Sequence, residues 1–181
     1  MKLTSLLRQL AKPRIACVDL DYTLWPWGVD QFVMKPPYKL AEDKRVVDAT
    51  GKPMPPFPEA QKALEYLRDE GIQIAGVSRT TYSHGVIGLI WLYGWSKYFE
   101  YLQAFPAQKW IHLAEIQEQS GGVPYNEMIL FDDEQRNIDD ITTIGVMGVK
   151  VDPAKGLTVN LVEQALKDFS KSSSHKISAK A

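Results

Sequence analysis

Ile15-Ala16-Cys17-Val18-Asp19-Leu20-Asp21-Tyr22-Thr23-Leu24-Trp25 decides how the chain is to be read. Four apolar residues run into two carboxylates at i and i+2, with a threonine two positions later. An apolar run closed by charged, turn-forming residues reads as a buried parallel strand whose last side chains reach solvent. Asp19 and Asp21 therefore sit at a strand's carboxyl end, where open α/β sheets bind their ligands. Alternation along an extended segment sends both to one side, and two such carboxylates resist ionising together without a cation between them. Hard oxygen donors without a thiol or imidazole favour Mg²⁺. Taken alone, the pair is equally compatible with two turn formers at the start of a loop.

Three later segments repeat the pattern. A helix opened by Pro58, with Ala60, Ala63, Leu64 and Leu67 on one face and Gly71 beyond its end, precedes a second strand, Ile72 to Val77. That strand delivers Ser78-Arg79-Thr80. Val86 to Trp91 forms a strongly apolar helix and Tyr98 to Phe105 a third strand. The helix after Pro106 carries Lys109 in its first turn, an unfavourable place for a cation unless an anion faces it. By itself Lys109 reads as a surface residue. His84 and His112 lack a metal-spaced partner and are given no role. Met128 to Phe131 is a fourth strand, ending in Asp132-Asp133-Glu134. A helix through Ile138 and Ile141, a fifth strand from Val146 to Val151 and a last helix with Leu157, Leu161, Val162, Ala165 and Leu166 facing inward complete the alternation.

Strands alternating with helices imply a parallel sheet with right-handed crossovers and helices on both faces, a three-layer α/β/α domain. The stretch from Trp25 to Phe57 breaks the rhythm with six prolines among Trp25, Trp27, Phe32 and Tyr38. It excludes a long helix, and its aromatic residues argue against disorder, so it reads as a partly ordered flap. Trp25 and Trp27 are equally compatible with core packing and with contact to a substrate.

The D-x-D-x-T string resembles the first motif of the haloacid dehalogenase (HAD) superfamily. Ser78-Arg79-Thr80 resembles the second motif, Lys109 the third and Phe131-Asp132-Asp133-Glu134 the fourth. Tyr22, Trp25 and Pro26, the Ser-Arg-Thr trio and the Asp-Asp-Glu ending at Asn137 are similar to the superfamily's magnesium-dependent phosphatase branch, over roughly residues 14 to 168. The resemblance implies a Rossmann-like HAD fold whose first strand is flanked by the second and fourth. The flap, about thirty residues, is too short to fold as a separate cap.

It also implies a Mg²⁺-dependent phosphatase working through an aspartyl-phosphate, with Asp19 as nucleophile and Asp21 as acid and then base. Mg²⁺ would be held by Asp19, the Asp21 carbonyl and Asp133, with Asp132 behind it. Ser78, Arg79 and Lys109 would bind the phosphorylated substrate, and Thr23 and Asn137 would support the site. Members of this branch are associated with phosphotyrosine and with sugar phosphates, including fructosamine phosphates. An acid at position 21 disfavours dehalogenase and P-type ATPase chemistry, and the lack of a large cap disfavours a mutase. A non-enzymatic receiver-like module also uses an acidic Mg²⁺ pocket, but its lysine follows the fifth strand, whereas Lys109 precedes the fourth. A silent scaffold is the remaining alternative.

Composition narrows the partners. Among 181 residues, 45% hydrophobic, 21 Lys and Arg stand against 22 Asp and Glu, leaving no positive excess for nucleic acid. No run approaches a membrane span. The single cysteine, Cys17, cannot form an internal disulfide, which points to a reducing compartment: cytoplasm, also open to the nucleus. Met1 to Arg14, basic and without an acid, faintly resembles a mitochondrial transit peptide, though a short arm or helix is the simpler reading. One domain is expected over 1–169, with the flap at about 25–57 and a disordered tail over 170–181.

Overall fold

The computed structural model describes residues 12–178; residues 1–11 of the N-terminal arm and 179–181 of the tail suggested by the sequence lie outside them. Five parallel strands form the central sheet: β1 (Ile15–Asp19), β4 (Gln73–Ser78), β5 (Tyr101–Ala104), β6 (Met128–Asp132) and β7 (Met147–Lys150). Their spatial order is β5-β4-β1-β6-β7. β1 thus lies between the strands that carry Ser78 and Asp132, as the resemblance implies, in register through Cys17↔Ala75 and Cys17↔Leu130.

Alternation along β1 divides the core. Ala16 and Val18 join one buried cluster, whereas Ile15 and Cys17 join the other. On the first face lie α1 (Ala60–Asp69), α2 (Ser83–Leu92) and α5 (Val159–Ser178); on the second lie α3 (Lys109–Gln119) and α4 (Gln135–Thr142). Such two-sided burial explains why the strands are continuous apolar runs and not alternating ones. Cys17 is fully enclosed, and burial pushes its thiol up to about 12.

The proline-rich insertion is ordered and belongs to the core. Trp25, Trp27, Val29, Met34, Val46, Met54 and Phe57 are all buried in the first cluster. Its only regular parts are a 3₁₀ turn at Val29–Gln31 and a hairpin of β2 (Lys39–Leu40) and β3 (Val46–Val47). Asp48 knots the hairpin by accepting bonds from Thr50 Oγ1 at 2.6 Å and from the Lys35, Thr50 and Lys52 amides at 2.9–3.0 Å. Those donors hold its carboxyl well below the usual range.

α5 runs past residue 169, where the sequence reading ends the domain. The helix continues to Ser178, through residues whose serines and lysines suggest a disordered tail. Phe169 is buried and anchors the helix, Ser172 Oγ caps the Phe169 carbonyl at 2.9 Å and Lys171 pairs with Asp168 at 3.1 Å. A helix nucleated by packing extends at little cost per residue, even through modest helix formers.

Candidate active site

β1 ends at Asp19, and the chain then turns sharply. Leu24 N–H donates to Leu20 O at 2.8 Å, Tyr22 N–H donates to Trp25 O at 2.8 Å, and Tyr22 takes a left-handed conformation at φ 58°. This turn holds Asp21 beyond the strand, half-buried at the cavity. Asp19, Asp21, Ser78, Arg79, Lys109, Asp133 and Asn137 all line one cavity of about 280 Å³ at the carboxyl edge of the sheet. Residues from four separate segments thus converge where the strand order predicts.

Lys109 is fully buried at the start of α3, which corrects its reading in isolation as a surface residue. Its ammonium contacts Asp19 Oδ1, lies 3.2 Å from Asp132 Oδ2 and donates to Val77 O at 2.7 Å. Burial alone would discharge the ammonium, but attraction to Asp19 and Asp132 outweighs it and raises the lysine above its ordinary value. Asp19 is raised well above the usual carboxylate range, by burial first, with Asp132 and Asp21 adding repulsion that Lys109 opposes. A further cation at this point would restore its ionised form.

The donor set for such a cation is present. One carboxylate oxygen from each of Asp19, Asp132 and Asp133 lies within 4.8 Å of the others. All are hard oxygens, which fits Mg²⁺. The two neighbouring acids are not equivalent. Asp132 is fully buried and its oxygens are engaged by the Glu134 amide at 2.8 Å, by Asn137 Nδ2 at 3.0 and 3.1 Å and by Lys109. Asp133 is half-buried and lines the cavity, whereas Asp132 does not. Asn137 also accepts from the Arg79 guanidinium at 3.2 Å, so one amide connects the second segment to the fourth.

Asp21 accepts from Trp25 Nε1 at 2.7 Å and from the Val29 amide at 3.0 Å. Burial nevertheless lifts its carboxyl to about 6, with the charge of Asp30 adding to the rise and those two donors opposing it. Trp25 is thus both core and positioning contact, and Trp27 is core. Ser78 Oγ accepts from the Thr80 amide at 3.2 Å, which leaves its own proton to be donated. Thr23 does not reach the cavity. It is buried, its carbonyl accepts from the Leu157 amide at 2.8 Å, and its hydroxyl has no hydrogen-bond partner among the described residues.

Asp30, Gln31 and Arg136 line the cavity as well, although nothing in their local sequence marks them. His112 is fully enclosed on α3, edge-on to Phe105. A carbonyl only accepts, so Nε2 donates to Phe105 O at 3.0 Å and the neutral ring keeps Nδ1 bare. Burial lowers this histidine to about 4, below its ordinary 6.5. Its contribution to stability is therefore present above pH 6.5 and is lost as pH falls toward 4, by about 1–3 kcal/mol. Urea denaturation should show the advantage of native protein over His112→Gln shrinking between pH 7 and 4.5; a constant difference refutes this assignment.

The model of a family described as Acid Phosphatase matches residues 11–172. Magnesium-dependent phosphatase 1 of Homo sapiens is 35% identical over 159 residues, covering 88% of this chain and 88% of the relative. A HAD-like hydrolase superfamily protein of Schizosaccharomyces pombe is 30% identical over 151 residues, 78% of this chain and 87% of the relative. Among solved structures, the N-terminal part of a Bacteroides fragilis protein, containing a phosphatase domain complexed with Mg, superposes with a TM-score of 0.63 at 14% identity. The match covers 89% of this chain and 42% of that one. A HAD-superfamily hydrolase from Ehrlichia chaffeensis gives 0.57 at 14% identity, over 89% and 97%. With the four motif segments gathered on one sheet edge, the chain belongs to the acid phosphatase family of the HAD superfamily, among the magnesium-dependent phosphatase 1 proteins.

Proposed function

We propose that the chain is a Mg²⁺-dependent phosphatase that hydrolyses phosphate monoesters in two displacements on Asp19. The observation that carries the reading is the Asp19 carboxylate at the cavity floor, paired with buried Lys109 and within ligand range of Asp133. In the first step an Asp19 oxygen attacks phosphorus, the bond from phosphorus to the leaving oxygen breaks, and Asp21 gives that oxygen its proton. In the second, water attacks phosphorus, Asp21 takes back a proton, and the bond to Asp19 breaks to release phosphate. The carboxyl of Asp21 suits both tasks because burial lifts it to about 6, where it can both give and take a proton.

Ser78 and Lys109 line the cavity with Asp19 and would bring a hydroxyl donor and a positive charge to the transferring group, and Arg79, which donates to Asn137, would bind its outer oxygens. Asp19 and Asp133 would hold Mg²⁺, with Asp132 supporting them, and the ion would supply the positive charge that lets a carboxylate and a phosphate approach each other.

Tyr22, Gln31, Glu134 and Arg136 also line the cavity, a set of hydrogen-bonding groups that supports a hydroxylated leaving group such as a sugar phosphate or fructosamine phosphate. Phe32, 51% exposed and next to Gln31, supports a second reading in which the substrate is a phosphotyrosine protein. No helix among the described residues is long and apolar enough to cross a membrane.

Phosphate release from a panel of sugar phosphates, phosphotyrosine peptides and a simple aryl phosphate tests both levels. Turnover should require Mg²⁺ and stop with excess chelator. Because the first step needs protonated Asp21, kcat/KM should fall as pH rises through about 6. Full activity in chelator would refute the metal-dependent mechanism, and equal kcat/KM across the panel would refute both substrate readings.

A further inference from the structure

The carboxyl assigned to proton transfer is held by a backbone amide of the flap, that of Val29. The side chain of Val29 is buried and anchors the turn in the core, but apolar packing is non-directional and does not by itself aim the turn's backbone donors. The next residue does. Asp30 accepts from Thr80 Oγ1 at 2.8 Å, Thr81 Oγ1 at 3.0 Å, the Thr81 amide at 3.1 Å and the Tyr82 amide at 3.0 Å. An ionised carboxylate offers about four acceptor sites, and one neighbouring segment fills that number. Although Asp30 is exposed, these bonds outweigh the burial that opposes ionisation and hold its carboxyl below the usual range.

The donors belong to the loop that directly follows Ser78 and Arg79. Thr80 is doubly engaged: its amide donates to Ser78 Oγ at 3.2 Å, and its hydroxyl accepts from the Tyr82 amide at 2.9 Å. The Phe32 and Tyr82 rings, 5.6 Å apart, close the same junction from outside. One carboxylate therefore joins the flap that carries the Asp21 contact to the loop that carries the phosphate contact.

We propose that Asp30 is a positioning residue: it pins the Val29–Gln31 turn to the Thr80–Tyr82 loop and thereby keeps the Val29 amide on Asp21, fixing the proton-transferring carboxyl relative to Ser78. The proposal rests on Asp21 being the proton donor. Asparagine at position 30 keeps the shape but turns one oxygen into a donor facing donors, so the pin loosens. As an exposed residue, Asp30 contributes little packing, and its replacement leaves the core untouched.

The test compares kcat/KM for 4-nitrophenyl phosphate and for an alkyl phosphate with Mg²⁺, in native protein, Asp30→Asn and Asp21→Asn. Nitrophenolate leaves with little protonation, whereas an alkoxide needs the acid. Asp30→Asn should lose roughly tenfold on the aryl ester and roughly 100-fold on the alkyl ester, with KM little changed. The double variant Thr80→Val/Thr81→Ala, which removes the hydroxyl donors from the other side, should show the same selectivity and serves if Asp30→Asn fails to fold. Equal losses on both esters, or none, while Asp21→Asn is selective, overturn the positioning role. Equal losses in Asp21→Asn overturn the acid assignment, and the proposal with it.

Discussion

Asp19→Asn should lower turnover on the order of 10⁴-fold or more, because the amide cannot form the acyl phosphate through which both proposed displacements pass. The substitution is nearly isosteric, and its carbonyl can still accept from Lys109, which also keeps Asp132 and Val77 O. Folding should be close to native, so the loss is chemical. Removing one of three clustered carboxylates also weakens the site for Mg²⁺. Two measurements check this: steady-state phosphate release, and acid-quenched labelling of the protein by substrate phosphorus, which native protein should show and the variant should not. Mg²⁺-dependent turnover surviving in the variant would remove Asp19 from its role.

Lys109→Met should be the most destabilising substitution at the site. Methionine fills much of the lysine's volume, but two enclosed carboxylates lose their counterion, at a cost of about 3–5 kcal/mol. The pH dependence has a definite sign. The carboxyl of Asp19 is raised in the fold, mainly by burial, so its contribution to stability is present below its unfolded value and is lost as pH rises through the folded one. Without Lys109 that carboxyl rises further. Denaturant midpoints should therefore show a larger deficit for Lys109→Met at pH 8 than at pH 5. A deficit independent of pH would mean that packing, not charge, is what Lys109 supplies. Activity should fall by about 10²-fold or more from the lost charge on the transferring group.

How much of this could be read from the chain alone follows from where each residue's partners lie. β1 and its acids were legible because hydrophobic runs and their endings are local properties, and the same holds for Ser78 and for Asp132-Asp133. The flanking of β1 by β4 and β6 came only from the resemblance, since periodicity does not fix strand order. Lys109 defeats periodicity: a helix-start lysine looks exposed until the strand ends that surround it are in place. Asp30 and Asp48 look like ordinary charges in a proline-rich stretch. The donors to Asp30 lie some fifty residues further on, and the knot around Asp48 depends on a hairpin too short to announce itself. His112 carries no spacing signal because its hydrogen-bond partner is a backbone carbonyl, that of Phe105.

The sealing of Cys17 inside β1 has a consequence for oxidative conditions. Oxidation of cysteine begins from the thiolate, and a thiol lifted to about 12 with no surface exposed offers almost none. Phosphoryl transfer here is assigned to carboxylates, which peroxide does not attack. A phosphatase built this way offers hydrogen peroxide no thiolate at its reacting centre, unlike enzymes that hold phosphate on a reactive sulfur, so its activity should survive peroxide treatment that inactivates them.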